Sequence, residues 1–551
     1  MDLSRDTSRG LSVIDLPVEI LVQVFSYFQH QDFGVRYNGS IYWPSKVVSI
    51  ANADEPLLTI YNARQVCRLF NTVASPLLCP FLNLKLDQES LDRAEILLAN
   101  PHIASGVVGI QVSLEYRPIE LAEDINQFAA ARRDDLGQMN SAVAWCVDED
   151  GPESDHLQAG NYLAIAGAWN HFLGLRPDTA YTSSDEEDDP HQDFEEGRYE
   201  PSEAAMEFYD ILCQSHKKYV QLQKLQHELI YSRSFINTLS SLASRLNRPL
   251  ALRIHDSFDA DGLWHRHNAF KILTDNAELG KFLLTTYSWG DMNDVKARIT
   301  LSQVKILSEL PIAMHKAGVV LRHLTVGCLP EFNNFDKLCP GENESPDSPA
   351  WEELSAACQH LEIFQGEWGG HPVRTRFLDP KYHVYIERYV NSILSNQHFE
   401  HVNITLSPYS LDDGNGNAAV SLPHMPGVLS NINWPRVKKV SINSFSLHQE
   451  ELEHFCDALS SNLEYIGLVS IDLKSGSWVN ILHVLRDKMA NSSRARVWMA
   501  DLRGGELGQK KNRNPLLPGF PRIWELEDPV MVVRFMNYVK GELDENPAAK
   551  N

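Results

Sequence analysis

Four things are scarce in this chain, and each scarcity excludes a class of protein. No run approaches the roughly 18 consecutive apolar residues of a membrane span, so a membrane-embedded protein is excluded. Cysteine is thin and dispersed: Cys67, Cys79, Cys146, Cys213, Cys328, Cys339, Cys358 and Cys456 form no CxxC and no dense framework. That pattern excludes a disulfide scaffold and suits reduced thiols packed as small hydrophobes. Positive charge is also short, since 49 basic residues face 73 acidic ones for a net charge of −24, and phosphate-backbone binding draws its affinity from clustered Lys and Arg. Nucleic acid is therefore not an expected partner, and the one basic loop of note, GQKKNRNP at 508–515, reads as solvated.

Catalytic signatures are the fourth absence. The chain has no GxSxG elbow, no GxxxxGK[ST] loop, no HExxH and no GxGxxG after a strand, so no catalytic residue, metal or cofactor is assigned and the chain is not expected to be an enzyme. His265 with His267, and His371 with Asp379, are isolated groups that read as packed or exposed side chains. DDGNGN at 412–417 reads as a turn, lacking the alternating acids and terminal Glu of a calcium loop. The polar start, MDLSRDTSRG, carries no secretory apolar stretch, so a cytoplasmic and/or nuclear location is expected.

What is present is a globular composition, 43% apolar and 22% charged, over a length of several domains. The first strong signal is LPVEILVQVFSYF at 16–28. Asp15 suits its N-cap, Pro17 its first turn, and Glu19 the positive end of the helix dipole. At 100° per residue its apolar arc, with Leu16, Ile20, Val24 and Phe28 in one row and Leu21 and Phe25 in the next, passes about 200°. An ordinary surface helix buries a stripe of little over about 100°, so this one must be covered on two sides. A second apolar face, Ala63, Val66, Cys67, Phe70, Val73 and Ala74, reads as one helix through YNARQVCRLFNTVASP that stops near Pro76. Two such short helices cannot enclose a core alone, which favours burial against a partner.

These residues carry a family resemblance. Leu16-Pro17-x-Glu19-Ile20-Leu21-x-x-Val24-Phe25-x-x-Phe28, followed by Ala63-Arg64-x-Val66-Cys67-Arg68-x-Phe70-Asn71, resembles the F-box motif, especially of filamentous-fungal F-box proteins. The resemblance implies a three-helix unit that docks on a Skp-type adaptor and through it a cullin. It implies that Leu16, Pro17, Ile20, Leu21, Val24, Phe25, Phe28, Val66, Cys67 and Phe70 pack against the adaptor or the box's own core. Burying five apolar side chains of the first helix would give on the order of 10 kcal/mol gross. One departure stands out: 34 residues separate Phe28 from Ala63, and residues 34–56 match nothing in the motif. They are either a surface loop, which chain entropy tolerates at small cost, or a translated intron.

Beyond residue 80 strand and helix alternate. FLNLKL (81–86) and VVGIQVSLEY (107–116) read as strands around a helical LDRAEILLAN (91–100). Later LRHLTV, CQHLEIF, FEHVNITL, RVKKVSI and NLEYIGLVSI share a short signature that aligns on Leu324, Leu361, Val402, Val440 and Ile466, with helical stretches between. This resembles a degenerate leucine-rich repeat, in which short parallel strands line one face and helices the other; an ordinary α/β domain with a parallel sheet shows the same alternation. Between early and late repeats lies TSSDEEDDPHQDFEEGRYEPSE, with eight carboxylates within 185–196, whose self-repulsion predicts an extended linker. Ser183 and Ser184 there suit an acidophilic kinase. Trp351, Trp368, Trp434 and Trp478 are expected either to pack the core or to line a recognition surface.

The expected architecture is an α+β multidomain chain, a small all-α F-box followed by an α/β leucine-rich-repeat-like solenoid of helices and short parallel strands. The boundaries are a flexible N-terminus at 1–11, the box at 12–80 with the inserted 34–56, first repeats at 81–177, the acidic linker at 178–203, a repeat-like substrate-binding region at 204–540 and a flexible tail at 541–551. The expected role is substrate recognition for a Skp-cullin-F-box ubiquitin ligase, with an unidentified substrate protein. An F-box scaffold outside any ligase, or an enzyme with an unrecognised pocket, are the alternatives.

Overall fold

The structure is a computed structural model and describes residues 13, 16–26, 55–145, 154–174, 202–256, 271–289, 301–330, 334–342, 344–368, 376–377, 382–406, 409–412, 418–421, 424–430, 432–489, 495–507 and 529–550. Contacts divide the chain into two units, one of residues 1–114, 230–258 and 300–551, the other of 115–229 and 259–299.

The first unit carries every strand found among the described residues. In chain order these are β1 (Phe81–Lys85), β2 (Gly109–Ser113), β3 (Leu250–His255), β4 (Leu321–Val326), β5 (Ile363–Glu367), β6 (Arg376–Phe377), β7 (His401–Thr405), β8 (Tyr409–Asp412), β9 (Ala418–Ser421), β10 (Lys439–His448), β11 (Tyr465–Ser475), β12 (Arg496–Ala500) and β13 (Arg503–Gly504). β6, β8 and β9 form a small separate sheet. The others build a ten-stranded sheet in the order β1-β2-β3-β4-β5-β7-β10-β11-β12, with β13 beside β11, and every pairing in it is parallel. Each main strand therefore pairs with the next main strand in the sequence. The helices Gln88–Ala99, Ser234–Ser244, Ile306–Lys316, Ala350–Cys358, His383–Leu394, Pro426–Ser430, Gln449–Asp457, Trp478–Met489 and Pro529–Val539 pack each on the next in the same order, as a second layer.

Register explains the short repeated signature. Leu82, Ile110, Leu252, Leu324, Phe364, Val402, Val440, Ile466 and Val497 pair into one continuous buried row across nine strands. Four of the five expected anchors stand in this row. The fifth is corrected: Leu361 precedes its strand, and Phe364 takes the place, because pairing with Leu324 and Val402 sets the position rather than the local apolar spacing. A second row runs through Leu84, Val112, Ile254, Val326, Ile404, Ile442, Leu468 and Met499, and where Gly366 leaves a gap in it the buried Trp368 indole approaches.

The last three strands share a further feature. Ser444, Ser470 and Asp501 follow the paired Asn443, Val469 and Ala500, and all three have positive φ (65°, 50° and 47°). A left-handed residue inserted in a strand reverses the pleat, so burial passes from Val440 and Ile442 to Phe445 and Leu447, and from Ile466 and Leu468 to Ile471 and Leu473. The same irregularity thus recurs at one position of three neighbouring strands.

The second unit is helical. Ile119–Glu123, Ile125–Trp145, Ser154–Leu173, Glu203–Tyr231 up to its boundary and Asn276–Phe282 build it, closed by an antiparallel bridge between Tyr116 and Tyr287. The expected strand–helix alternation over 81–177 stops after β2, because this helical unit is inserted between two strands that are neighbours in the sheet. At its centre Arg132 is almost fully buried. Its guanidinium donates to Asp135 and to the Thr285 hydroxyl, both at 3.2 Å, and lies 4.3 Å from the Tyr287 ring centroid and 5.5 Å from that of Phe282. The Tyr287 hydroxyl donates to Asp135 at 2.7 Å, so one buried cation joins the chain around 132–135 to the chain around 285–287.

Residues 542–550, within the expected flexible tail, pack on the first unit: Asn546 donates to the Val479 carbonyl at 2.9 Å, and Ala548 is buried. Residues 1–11 and the whole of 34–54 lie outside the described residues, as does nearly all of the acidic 178–203.

Candidate docking surfaces

The N-terminal surface is built by three helices, α1 (Val18–Ser26), α2 (Glu55–Val66) and α3 (Arg68–Ala74), followed by a 3-10 turn at Ser75–Leu77. The face read as one helix from Ala63 to Ala74 is two. Cys67 is extended (φ −160°, ψ 169°), and its Sγ accepts the Phe70 N–H at 3.4 Å as the N-cap of α3. Arg64 donates from its Nε to the Ser75 hydroxyl at 2.8 Å, tying the end of α2 to the end of α3. The break ends the helical phase at Cys67, so residues on its two sides no longer share a face.

The core of this bundle is Leu21, Phe25, Ile60, Val73 and Ala74, with Leu16, Ala63, Leu69, Phe70, Leu77 and Leu78 packed against it. Of the residues expected at an adaptor, Leu21 and Phe25 are interior, while Leu16, Cys67 and Phe70 are half-buried. Pro17, Ile20, Val24 and Val66 are exposed, and Phe28 lies outside the described residues, as does Asp15. Val18 and Val22 flank the buried pair on one side of α1, Ile20 and Val24 on the other. With Leu58, Tyr61 and Val66 they leave seven large apolar side chains 37 to 67% exposed within one small bundle. The gross gain expected from α1 is thereby reduced: Leu21 and Phe25 are already covered, and what stays open on Ile20 and Val24 is worth about 1 kcal/mol each. Leu58, Ile60 and Tyr61 were not singled out in the sequence, although the spacing of Leu57, Ile60 and Tyr61 is helical.

The bundle is fixed to the sheet-bearing array. Gly106 approaches the Pro76 backbone so closely that a Cβ there would lie 1.8 Å from the Pro76 carbonyl oxygen. Only glycine fits that contact.

The second surface is the sheet face opposite the apolar rows. A parallel sheet is ordinarily covered on both sides and reads as continuous apolar runs; here alternate positions are polar instead. Across β2 to β5 Gln111, Ser113, His255, Thr325 and Gln365 are buried, and two pairs of them bond: Thr325 donates to Gln365 at 3.0 Å, and Gln111 meets His255 at 3.1 Å. Across β7, β10, β11 and β12 the alternate positions are accessible, and Trp498 on β12 is half exposed. Nothing in the sequence pointed to Trp498. The four tryptophans that were noted, Trp351, Trp368, Trp434 and Trp478, are all core residues.

At the N-terminal ends of β3, β4, β5, β7 and β10 lies a groove of about 340 Å³ lined by Pro249, Val320, Arg322, His360, Glu362, His398, Glu400 and Arg436. Arg322 pairs with Glu362 at 3.1 Å and Lys438 with Glu400 at 2.8 Å. Beside it, burial, helped by His401 and Arg322, holds His323 down to about 4.

The pairs singled out in the sequence, His265–His267 and His371–Asp379, are not among the described residues, nor are Ser183 and Ser184. No three His, Cys, Asp or Glu side chains among the described residues stand ready for a metal. The seven described cysteines are free, and burial pushes the Cys358 thiol up to about 12 and that of Cys79 to about 11. No described helix is long and apolar enough to cross a membrane.

Residues 13–78 match the F-box-like family, so the chain carries an F-box-like domain at the three-helix bundle. No curated protein and no solved structure matches the chain.

Proposed function

We propose that this chain is a non-catalytic substrate-recognition subunit of a Skp-cullin-F-box ubiquitin ligase. Its F-box-like bundle binds a Skp-type adaptor, and through it a cullin. The strand–helix array is a leucine-rich-repeat-like solenoid, a reading supported by nine parallel strands paired in sequence order, one helix layer and the shared left-handed residue of the last three strands. That array captures a substrate protein and raises the effective concentration of its lysines near a ubiquitin-charged enzyme.

The observation that carries this reading is the open apolar surface on both flanks of Leu21 and Phe25. A bundle this small that leaves such a surface uncovered is completed by another protein. The Gly106–Pro76 contact supports it further, because a geometric role requires the bundle to hold a fixed position on the array.

The test is recovery of a Skp-type adaptor by the full chain and by an Ile20→Glu, Val24→Glu variant. Both residues are exposed, so the bundle should fold while adaptor recovery is lost; equal recovery would refute the docking role. Co-recovery of a cullin with the wild type distinguishes a ligase subunit from an F-box scaffold.

A further inference from the structure

We infer that the accessible part of the bare sheet face, on β7, β10, β11 and β12, binds an acidic, extended peptide segment with an apolar residue. This rests on the array being the substrate-capturing part of the protein, and names the chemistry of what it captures.

The argument begins with charge. The chain carries 73 acidic residues against 49 basic, yet the twelve positions that face this side within 401–405, 439–443, 465–469 and 496–500 include no carboxylate; beyond the pleat reversal Asp472 lies on this side and accepts from the Ser446 hydroxyl at 3.3 Å. They include Lys439 and Arg496, paired through Tyr465, and His401 paired with Lys439. Neither Lys439 nor Arg496 has a carboxylate partner among the described residues. At the overall acid content of the chain, twelve positions would carry about one or two acids; here Lys439 and Arg496 are the charged residues instead, which leaves a local field opposite in sign to the rest of the molecule.

The rim continues that field. Glu362 and Glu400 in the adjoining groove pair with Arg322 and Lys438, while Arg436 meets the His398 ring at 3.5 Å and adds to the positive charge that Glu400 feels. An anionic segment leaving the face at this end meets three cations, Arg322, Arg436 and Lys438, against the two carboxylates Glu362 and Glu400.

Shape supplies the rest. Trp498 and Tyr465 are the aromatic side chains of the patch, and Gly467, between Ser441 and Trp498, is roofed by the Ser441 and Tyr465 hydroxyls, 2.7 and 3.0 Å from where a Cβ would lie. The half-exposed Trp498 is a seat for an apolar residue. Strands about 4.8 Å apart place β7 and β12 roughly 14 Å from one another, the reach of four to five extended residues. A short extended segment thus sets its carboxylates on Lys439 and Arg496 and its apolar side chain on Trp498.

The test uses the full chain and a fluorescent ten-residue peptide of Glu and Asp with one central Leu, beside the same peptide with Lys in place of every acid. Only the acidic peptide should bind, and binding should weaken as salt rises from about 50 to about 300 mM. A Lys439→Glu, Arg496→Glu variant should lose about tenfold in affinity, and Trp498→Ala about threefold, at unchanged melting temperature. Binding of the Lys peptide, or charge reversal leaving affinity within about twofold, overturns the inference. Binding seen only after deletion of residues 178–201 also overturns it, by making the chain's own acidic segment the occupant. The charge-reversal variant should recover a Skp-type adaptor as the wild type does, so loss of peptide binding and loss of the adaptor role are read separately.

Discussion

The Phe25 ring stands edge-on to Phe70, with 5.1 Å between centroids and 80° between planes, and this pair joins α1 to α3 across the break at Cys67. Edge-to-face contact adds about 0.5–1.5 kcal/mol to the apolar area the two rings bury. Phe25→Ala should therefore cost about 3–5 kcal/mol within the bundle and expose residues 55–78 to limited proteolysis. Ile20→Glu, a change on the exposed flank, should leave the proteolytic pattern intact. Identical cleavage of both variants would contradict the division of α1 into an inner row and two outer flanks.

The contact between Gly106 and Pro76 makes a sharper demand. Gly106→Ala has no room for its methyl group and should destabilise the first unit by roughly 1–3 kcal/mol, seen as a lower thermal midpoint. Gly160→Ala, where nothing lies within 4 Å of the added carbon, is the control and should not lower the midpoint.

Arg132 makes a different prediction, confined to the helical unit. Arg132→Ala removes the partner of Asp135 and the donor to Thr285 together, and should cost about 3–5 kcal/mol. Hydrogen exchange should quicken in 125–145 and 271–289 and stay slow in the sheet. Arg132→Lys should recover only part of the loss, because an ammonium cannot reach both groups with a planar fork.

Titration of His323 should shape the acid side of the stability curve. Its folded value lies near 4 against 6.5 for an ordinary histidine, so the unfolded chain takes up the proton first. Stability is full above about pH 6.5 and falls as the pH drops towards 4, by about 2 kcal/mol after allowance for residual solvent at the site. His323→Gln should flatten that part of the curve; an unchanged slope of melting temperature between those pH values would remove His323 as its source.

Much of the array was legible because strand periodicity is local. LRHLTV coincides with β4, and Val402, Val440 and Ile466 are paired neighbours in the apolar row. Leu361 was misplaced for the complementary reason, since a leucine with suitable near neighbours looks like a strand anchor until pairing with Leu324 assigns the place to Phe364. The single helix read from Ala63 to Ala74 failed likewise. Its apolar spacing continues smoothly across Cys67, while the extended backbone at that residue depends on the packing of α2 and α3 around Phe25.

By itself the sequence determined the apolar surplus of 16–28, the F-box-like motif and the strand–helix alternation, all carried by periodicities of a few residues. Tertiary structure alone decided which apolar residues of α1 close the bundle and which stay open, since that depends on Phe70, Val73 and Ile60 arriving from elsewhere in the chain. It also decided that a helical unit is inserted in the chain between two paired strands, and that positions as distant as His401, Lys439, Tyr465 and Arg496 share one face. Such groupings are made by pairing across tens of residues, and no local pattern encodes them.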